Sequence, residues 1–444
     1  MFGTDGIRGK VNSYPILPEN MLKIGSAIGL HLGLKPTFKR PSAIMAKDTR
    51  LSCYLLESAL TAGLLSVGVD VTLLGPMPTP ALAVLTKSMR ADFGIMISAS
   101  HNLYQDNGIK IFDNSGHKIS DSCQSNILDI INCNRITLVE PEDLGRVYRM
   151  EDAPGRYIEY VKNTLPKNTT FSGIKVVIDA ANGAAYKIAP KVLWELGAEV
   201  ISIGCAPNGI NINRDCGSNC IENVGRAVLE NGADIGIALD GDADRIAICD
   251  ENGRGINGDY LICMLALYMK EVELLRNNGI VITKASNSAL TDFLSKMGID
   301  VIHSTKIGDK SVMKSLVEHN LNFGGEQSGH IIFRDYSSTG DGLIAALRII
   351  LVLLKSGKKL SEIARPFDLY PQSCINVPYR ADDILEKESI KSILDKIKKE
   401  YPDLSLMIRK SGTERVVRVI IEGRDERTVN YASSSLENVL ISAS

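Results

Sequence analysis

Three unlike loops carry the side chains of this chain that could do chemistry. Ser98-Ala99-Ser100-His101-Asn102 offers a hydroxyl beside an imidazole. Asp240-Gly241-Asp242-Ala243-Asp244-Arg245 crowds three carboxylates into one short turn. Gly324-Gly325-Glu326-Gln327-Ser328-Gly329-His330 sets acceptors, a hydroxyl and an imidazole among glycines that permit close backbone approach. Carboxylates this close repel one another unless a cation or basic groups neutralise them. Oxygen donors without His or Cys favour Mg²⁺, which commonly keeps water or phosphate in its shell. A solvated acidic turn is the competing reading. An EF-hand is excluded, because Arg245 stands where that loop needs Gly and Ile246 to Cys249 reads as strand.

Ser100 needs activation before it can act as a nucleophile. Acyl transfer would call for a Gly-x-Ser-x-Gly elbow, which is absent. His101 is expected to point away from Ser100 by strand alternation. Phosphoryl transfer fits better, since the aspartate loop could hold a metal opposite a phosphorylated serine. Such a site stays negative even with Mg²⁺, and Arg245, Lys110 and Arg8 are the basic candidates to balance it. Taken alone, Ser-His-Asn fits a plain strand-end turn equally well. The Glu326 to His330 loop suits a clamp on vicinal sugar hydroxyls, or else a glycine turn with a core histidine. Arg409-Lys410-Ser411-Gly412-Thr413-Glu414 reads as a phosphate cradle, or as a solvated basic turn. A P-loop is absent and no Gly-x-Gly-x-x-Gly opens a βαβ unit, which argues against nucleotide binding.

A repeated frame positions the first three loops. Gly68-Val69-Asp70-Val71, Gly197-Ala198-Glu199-Val200 and Gly298-Ile299-Asp300-Val301 each follow a helical run. Ala91 to Ile95, Ala233 to Ile237 and Leu321 to Gly325 then lead into the loops. Strands are expected at 42–46, 69–74, 174–179, 200–203, 279–283 and 301–302, with helices between them. This alternation implies three similar αβα domains with mixed, mostly parallel sheets. Asp113-Asn114-Ser115-Gly116 and Glu251-Asn252-Gly253 are turn chemistry, so each sheet is expected to carry an antiparallel edge. Soft boundaries near 144–155, 253–259 and 366–371 give domains 1–150, 151–254, 255–368 and 369–444. The last, with a lysine-rich helix near 387–400, reads as a small C-terminal α+β domain.

With 444 residues the chain should hold about three domains or more. A net charge of −2 gives no argument for nucleic acid or an anionic membrane surface. The nine cysteines are scattered, and Cys216-x-x-x-Cys220 has no second pair to complete a zinc site. Without a signal segment or an apolar run of spanning length, a cytoplasmic protein with reduced thiols is expected.

Five motifs in order, Phe2 to Gly9, Ser98 to Asn102, Asp240 to Arg245, Glu326 to His330 and Arg409 to Glu414, make the chain resemble the α-D-phosphohexomutase superfamily along its whole length. Gln327, where Met is the alternative, and Gly209-Ile210-Asn211-Ile212-Asn213 running into Cys216-Gly217-Ser218 resemble its phosphoglucosamine mutase branch. The resemblance implies four domains around a central cleft and Ser100 as a phosphoserine. It implies one Mg²⁺ per chain on Asp240, Asp242, Asp244 and the Ser100 phosphate. Glucosamine 6-phosphate and glucosamine 1-phosphate would interconvert through a 1,6-bisphosphate that reorients in the cleft. Lys110 and His330 would move protons, with Arg8, Arg245 and His101 beside them. Glu326 and Ser328 would hold the sugar, and Arg409, Ser411, Gly412, Thr413 and Arg418 the distal phosphate. A small-molecule sugar phosphate is then the expected partner, with no nucleic acid or membrane, and the protein a monomer or homodimer. Phosphomannomutase/phosphoglucomutase activity is the alternative, and a non-catalytic sugar-phosphate sensor the alternative of another class. Leu103 replaces a usual proline, which implies a looser serine loop. Lys310 stands where arginine is common, and Lys410 and Arg415 replace prolines flanking the phosphate motif.

Overall fold

Short apolar runs alternating with helices pair into four separate sheets in the computed structural model, which describes residues 1–3, 5–33, 40–379, 383–410 and 416–443. The first sheet holds β1 (Ile7–Lys10), β2 (Ser42–Lys47), β3 (Asp70–Pro76), β4 (Phe93–Ile97), β5 (Asp106–Asp113) and β6 (Val147–Arg149). The second holds β7 (Lys175–Asp179), β8 (Glu199–Ile203), β9 (Ile235–Leu239), β10 (Ile246–Asp250) and β11 (Gly255–Ile256). The third holds β12 (Gly279–Ile282), β13 (Asp300–His303), β14 (Phe323–Gly325) and β15 (Ile331–Phe333).

One order runs through all three: β3-β2-β4-β5, β8-β7-β9-β10 and β13-β12-β14-β15. In each, three parallel strands are followed by an antiparallel one. The serine, aspartate and sugar-type loops all lie where the third parallel strand turns into the antiparallel strand. The fold class is thus three αβα units with mixed, mostly parallel sheets. Strands β6 and β11 fall inside stretches expected to be linkers. All three residues of β6 are exposed, so no apolar alternation marks it, and only backbone pairing with β3 makes it a strand.

The apolar run from Leu343 to Leu354 lies within the helix Gly342–Ser356. Asp341 caps it, accepting the Leu343 and Ile344 N–H groups at 3.0 Å and the Tyr157 hydroxyl at 2.8 Å. Arg348 interrupts its apolar run yet is 2% exposed. Its guanidinium lies over the Phe333 and Tyr336 rings and donates to Thr164 O at 2.8 Å, which accounts for a charge in the core. The small C-terminal unit is the antiparallel sheet β16 (Gln372–Pro378), β18 (Val416–Glu422) and β17 (Ser405–Lys410), in that order. Its separate core of Ile375, Ile390, Val417, Val419 and Leu436 is closed by helices Glu388–Glu400 and Glu426–Ala443. Among the described residues no helix is long and apolar enough to cross a membrane.

Candidate active site

The serine loop is gripped at its backbone. Ser100 is 1% exposed and adopts a left-handed φ of 52°, a conformation that costs a non-glycine residue about 1–2 kcal/mol. Its N–H donates to Ser98 Oγ at 2.9 Å, and Ser98 Oγ donates to Asp48 Oδ2 at 2.7 Å. The Ser100 carbonyl accepts from Arg50 Nη2 at 3.0 Å and from Asn213 Nδ2 at 2.8 Å. Held this way, Ser100 Oγ donates to Asp240 Oδ2 at 2.6 Å, across the boundary between the first two sheets. His101 does not point away as expected. The left-handed turn breaks strand alternation and leaves its Nδ1 3.5 Å from Ser100 Oγ. Burial, reinforced by Arg245 and Arg8, lowers the His101 pKa to about 4.

The three aspartates are buried together, and one oxygen of each lies within 4.8 Å of the others. Burial, with Asp244 and Asp242 adding repulsion, pushes Asp240 up to about 8. Asp242 is held by domain-crossing contacts: Thr79 N–H donates to its carbonyl at 2.9 Å, and Thr79 Oγ1 donates to its Oδ2. Lys110 Nζ, 1% exposed, donates to Asp242 Oδ2 at 2.7 Å and Asp244 Oδ2 at 2.8 Å. Burial opposes the Lys110 charge, but these carboxylates and Asp5 hold its pKa well above the usual value. Asp242 Oδ1 and Asp244 Oδ1 are buried without a hydrogen-bond partner. Buried carboxylate oxygens left so are costly, and an oxygen-only cluster with two orphaned atoms fits a hard divalent cation. The cluster could therefore hold a metal ion.

His330 is 2% exposed, with Nδ1 3.6 Å from Asp244 Oδ1 and Nε2 3.5 Å from Asp309 Oδ2. Burial works to lower its pKa, and the carboxylates of Asp244, Asp309 and Glu326 overcome it and raise it. The Gly340 N–H, donating to Nε2 at 2.9 Å, works the other way and leaves a proton on Nδ1, facing Asp244. Asp309 Oδ2 also accepts from Lys118 Nζ at 2.6 Å, and Lys118 reaches Asp5, which lies 3.5 Å from Lys110 Nζ. Lys110, Asp5, Lys118, Asp309, His330 and Asp244 so form a closed ring in which His330 stands between two carboxylates and each lysine joins two more. Arg8 donates to Asp5 at 2.5 Å, and Arg245 Nε lies 4.0 Å from Asp244 Oδ1.

Glu326 is 8% exposed and accepts the Gly308 N–H at 2.9 Å, while Ser328 is exposed on the same loop. Arg409 and Arg418 sit directly opposite one another on β17 and β18. Burial and then Arg418 lower the Arg409 pKa, while Glu326 raises it, which puts Arg409 in electrostatic reach of the sugar-type loop. Like charges paired across strands are unfavourable unless an anion joins them. Ser411, Gly412 and Thr413 lie outside the described residues.

Models of the phosphoglucomutase/phosphomannomutase alpha/beta/alpha domains I, II and III match residues 1–136, 155–254 and 257–370. Phosphoglucosamine mutase of Parvibaculum lavamentivorans is 48% identical over 441 residues, covering 99% of this chain and 98% of that protein. Phosphoglucosamine mutase of Methylobacterium nodulans is 50% identical over 430 residues, covering 96% of each. The chain belongs to the phosphoglucosamine mutase family. Solved structures share the fold. A phosphoglucomutase/phosphomannomutase family protein of Burkholderia thailandensis superposes with a TM-score of 0.82 at 23% identity, covering 100% of this chain and 97% of that one. The N-acetylphosphoglucosamine mutase of Aspergillus fumigatus, in complex with GlcNAc-6P and magnesium, gives 0.64 at 16% identity, covering 100% and 95%.

Against the phosphoglucosamine mutase family pattern, the departures find local explanations. Leu103 does not leave the serine loop loose, because Arg50 Nη1 donates to the Leu103 carbonyl and, at 3.1 Å, to that of Asp106. Lys310 pairs with Asp121 at 2.5 Å on the surface. Lys410 lies over the Tyr379 ring, and Arg415 lies outside the described residues. Arg50, Asp48, Asn213, Thr79, Lys118 and Asp309 escape the sequence reading. The first two follow β2, whose end pairs with that of β4 (Lys47 opposite Ile97), so their place at a C-terminal strand edge was the available signal.

Proposed function

We propose that the chain interconverts glucosamine 6-phosphate and glucosamine 1-phosphate, with Ser100 as the phosphate carrier. The observation that carries this reading is the Ser100 hydroxyl donating to Asp240 beside Lys110, within one buried cluster. In the first half-reaction the sugar hydroxyl attacks phosphorus on Ser100, and the bond from phosphorus to Oγ breaks. Lys110, protonated by its carboxylate neighbours, returns a proton to Oγ, and the proton of the attacking hydroxyl passes to His330 Nε2, where the hydroxyl takes the place of the Gly340 N–H. The 1,6-bisphosphate turns over and the second half-reaction runs these steps in reverse at the other phosphate. Asp240, Asp242, Asp244 and the Ser100 phosphate would hold Mg²⁺, which supplies charge for the transferring phosphoryl group. Arg8 and Arg245 add positive charge, His101 stays neutral beside Oγ, and Glu326 and Ser328 bind sugar hydroxyls. Arg409 and Arg418, with Ser411, Gly412 and Thr413, hold the phosphate that is not reacting.

A coupled assay comparing glucosamine 6-phosphate with glucose 6-phosphate and mannose 6-phosphate tests this. Turnover on the amino sugar should be greatest. Equal rates on all three would overturn the amino-sugar assignment, and no turnover on any would favour a sugar-phosphate sensor.

A further inference from the structure

The carbonyl oxygens of Ser100 and Asn102 are each gripped twice. Arg50 Nη2 reaches them at 3.0 and 2.8 Å, and Asn213 Nδ2 reaches both at 2.8 Å. Arg50 is fully buried and bonds two further carbonyls through Nη1, those of Leu103 in the loop and Asp106 at the start of β5. Its own orientation is fixed by Nε donating to Asp48 Oδ2 at 2.8 Å, the oxygen that also receives Ser98 Oγ. A planar fork of fixed donors suits this task, and an ammonium could not meet four carbonyls at once. Asn213 comes from the chain between β8 and β9 and spends both amide hydrogens on a loop of the first sheet. Neither residue hydrogen-bonds to the three aspartates or to Glu326 or Ser328.

We infer that Arg50 and Asn213 are positioning residues for phosphoryl transfer: they hold the serine loop by its backbone, so that Ser100 presents Oγ to the aspartates in one orientation. This rests on Ser100 being the phosphate carrier. Without the grip, the left-handed backbone at Ser100 is held only through its N–H on Ser98 Oγ, and Oγ moves off line. A misplacement of about 1 Å at a reacting atom costs on the order of 100-fold in rate. Asn213→Ala loses two hydrogen bonds. Asn213→Asp keeps the shape but aims acceptors at acceptors, so it should be the worse of the two.

The experiment follows phosphate gain by intact mass as full-length protein is mixed with Mg²⁺ and glucose 1,6-bisphosphate, with peptide mapping and steady-state kinetics on the same samples. Loading of Ser100 should slow by about 10- to 100-fold in Asn213→Ala, and further in Asn213→Asp. kcat should fall in step while KM for the sugar phosphate stays within twofold. Arg50→Lys should show the same loss despite keeping the charge; if it does not fold, the Asn213 pair decides. Loading within twofold of wild type, or a loss confined to KM, would overturn the positioning role. Wild type gaining no phosphate at Ser100 would instead overturn the reading beneath it.

Discussion

Replacing Gly241 with alanine probes how closely the aspartate loop is seated on the serine loop. A Cβ added at Gly241 would lie 2.6 Å from the Ser100 carbonyl oxygen and 2.9 Å from both Asn213 Nδ2 and Ile212 Cδ1. Gly241 does not occupy a left-handed φ, so alanine brings no backbone strain and the clash acts alone. Ordinary contact starts near 3.4 Å, so the two loops must part by about 0.8 Å along that line. The shift falls on the hydrogen bond between Ser100 Oγ and Asp240, which is 2.6 Å long. Displacement on this scale should cost about 10- to 100-fold in kcat, or roughly 1.4–2.7 kcal/mol of barrier. Overpacking should also remove about 1–3 kcal/mol of stability. Turnover in the coupled assay and urea unfolding measure the two effects, with KM expected to change little. A kcat within threefold of wild type would refute the reasoning, because it would mean that the loops need not touch for the reaction to run.

Asp242→Asn should keep the fold by circular dichroism, yet lose at least about 100-fold in rate through lost charge at the cluster; full activity in the variant, or of wild type in EDTA, would contradict a metal role. Lys118→Met strips Asp309 and Asp5 of a shared partner and should cost roughly 2–4 kcal/mol in urea, with a loss below 1 kcal/mol counting against the charge ring. Burial pushes Asp341 up to about 6, so the folded state binds its proton more tightly than the unfolded chain does. Its contribution is greatest below about pH 4 and is lost as pH rises through 6, a change of about 3 kcal/mol. Asp341→Asn should flatten that slope in unfolding measured at several pH values; an unchanged slope would assign it elsewhere. As a control, an added Cβ at Gly155 meets nothing, so Gly155→Ala should leave kcat unaltered and be neutral or stabilising by up to ~1 kcal/mol.

Much of this architecture could be read from local pattern. The recurring apolar runs placed β2, β7 and β12 within a residue or so, because parallel strands buried on both faces are continuous in sequence hydrophobicity. The same rule is blind to β6, which has no buried face. At the site, Ser100, the three aspartates, Lys110 and His330 were legible because their types announce their chemistry. Asn213 and Thr79 were not, because an amide and a hydroxyl that serve a backbone or a carboxylate look like any turn residue. Thr79, between Pro78 and Pro80, opens the helix Thr79–Ser88 and faces Asp242. His101 was misplaced for a related reason: strand alternation was applied to a residue that follows a left-handed turn.

The grip on the serine loop acts on carbonyl oxygens, which every amino acid possesses. Arg50 and Asn213 therefore do not see which side chains the loop carries. Position 103, 48% exposed and held by its carbonyl, can trade proline for leucine and the loop keeps its shape. On the positioning role inferred above, substitutions along 101–106 should be tolerated wherever a side chain is not itself needed, whereas changes at positions 50 and 213, remote in sequence, should not. The residues that fix the orientation of the Ser100 hydroxyl are then ones that never touch it.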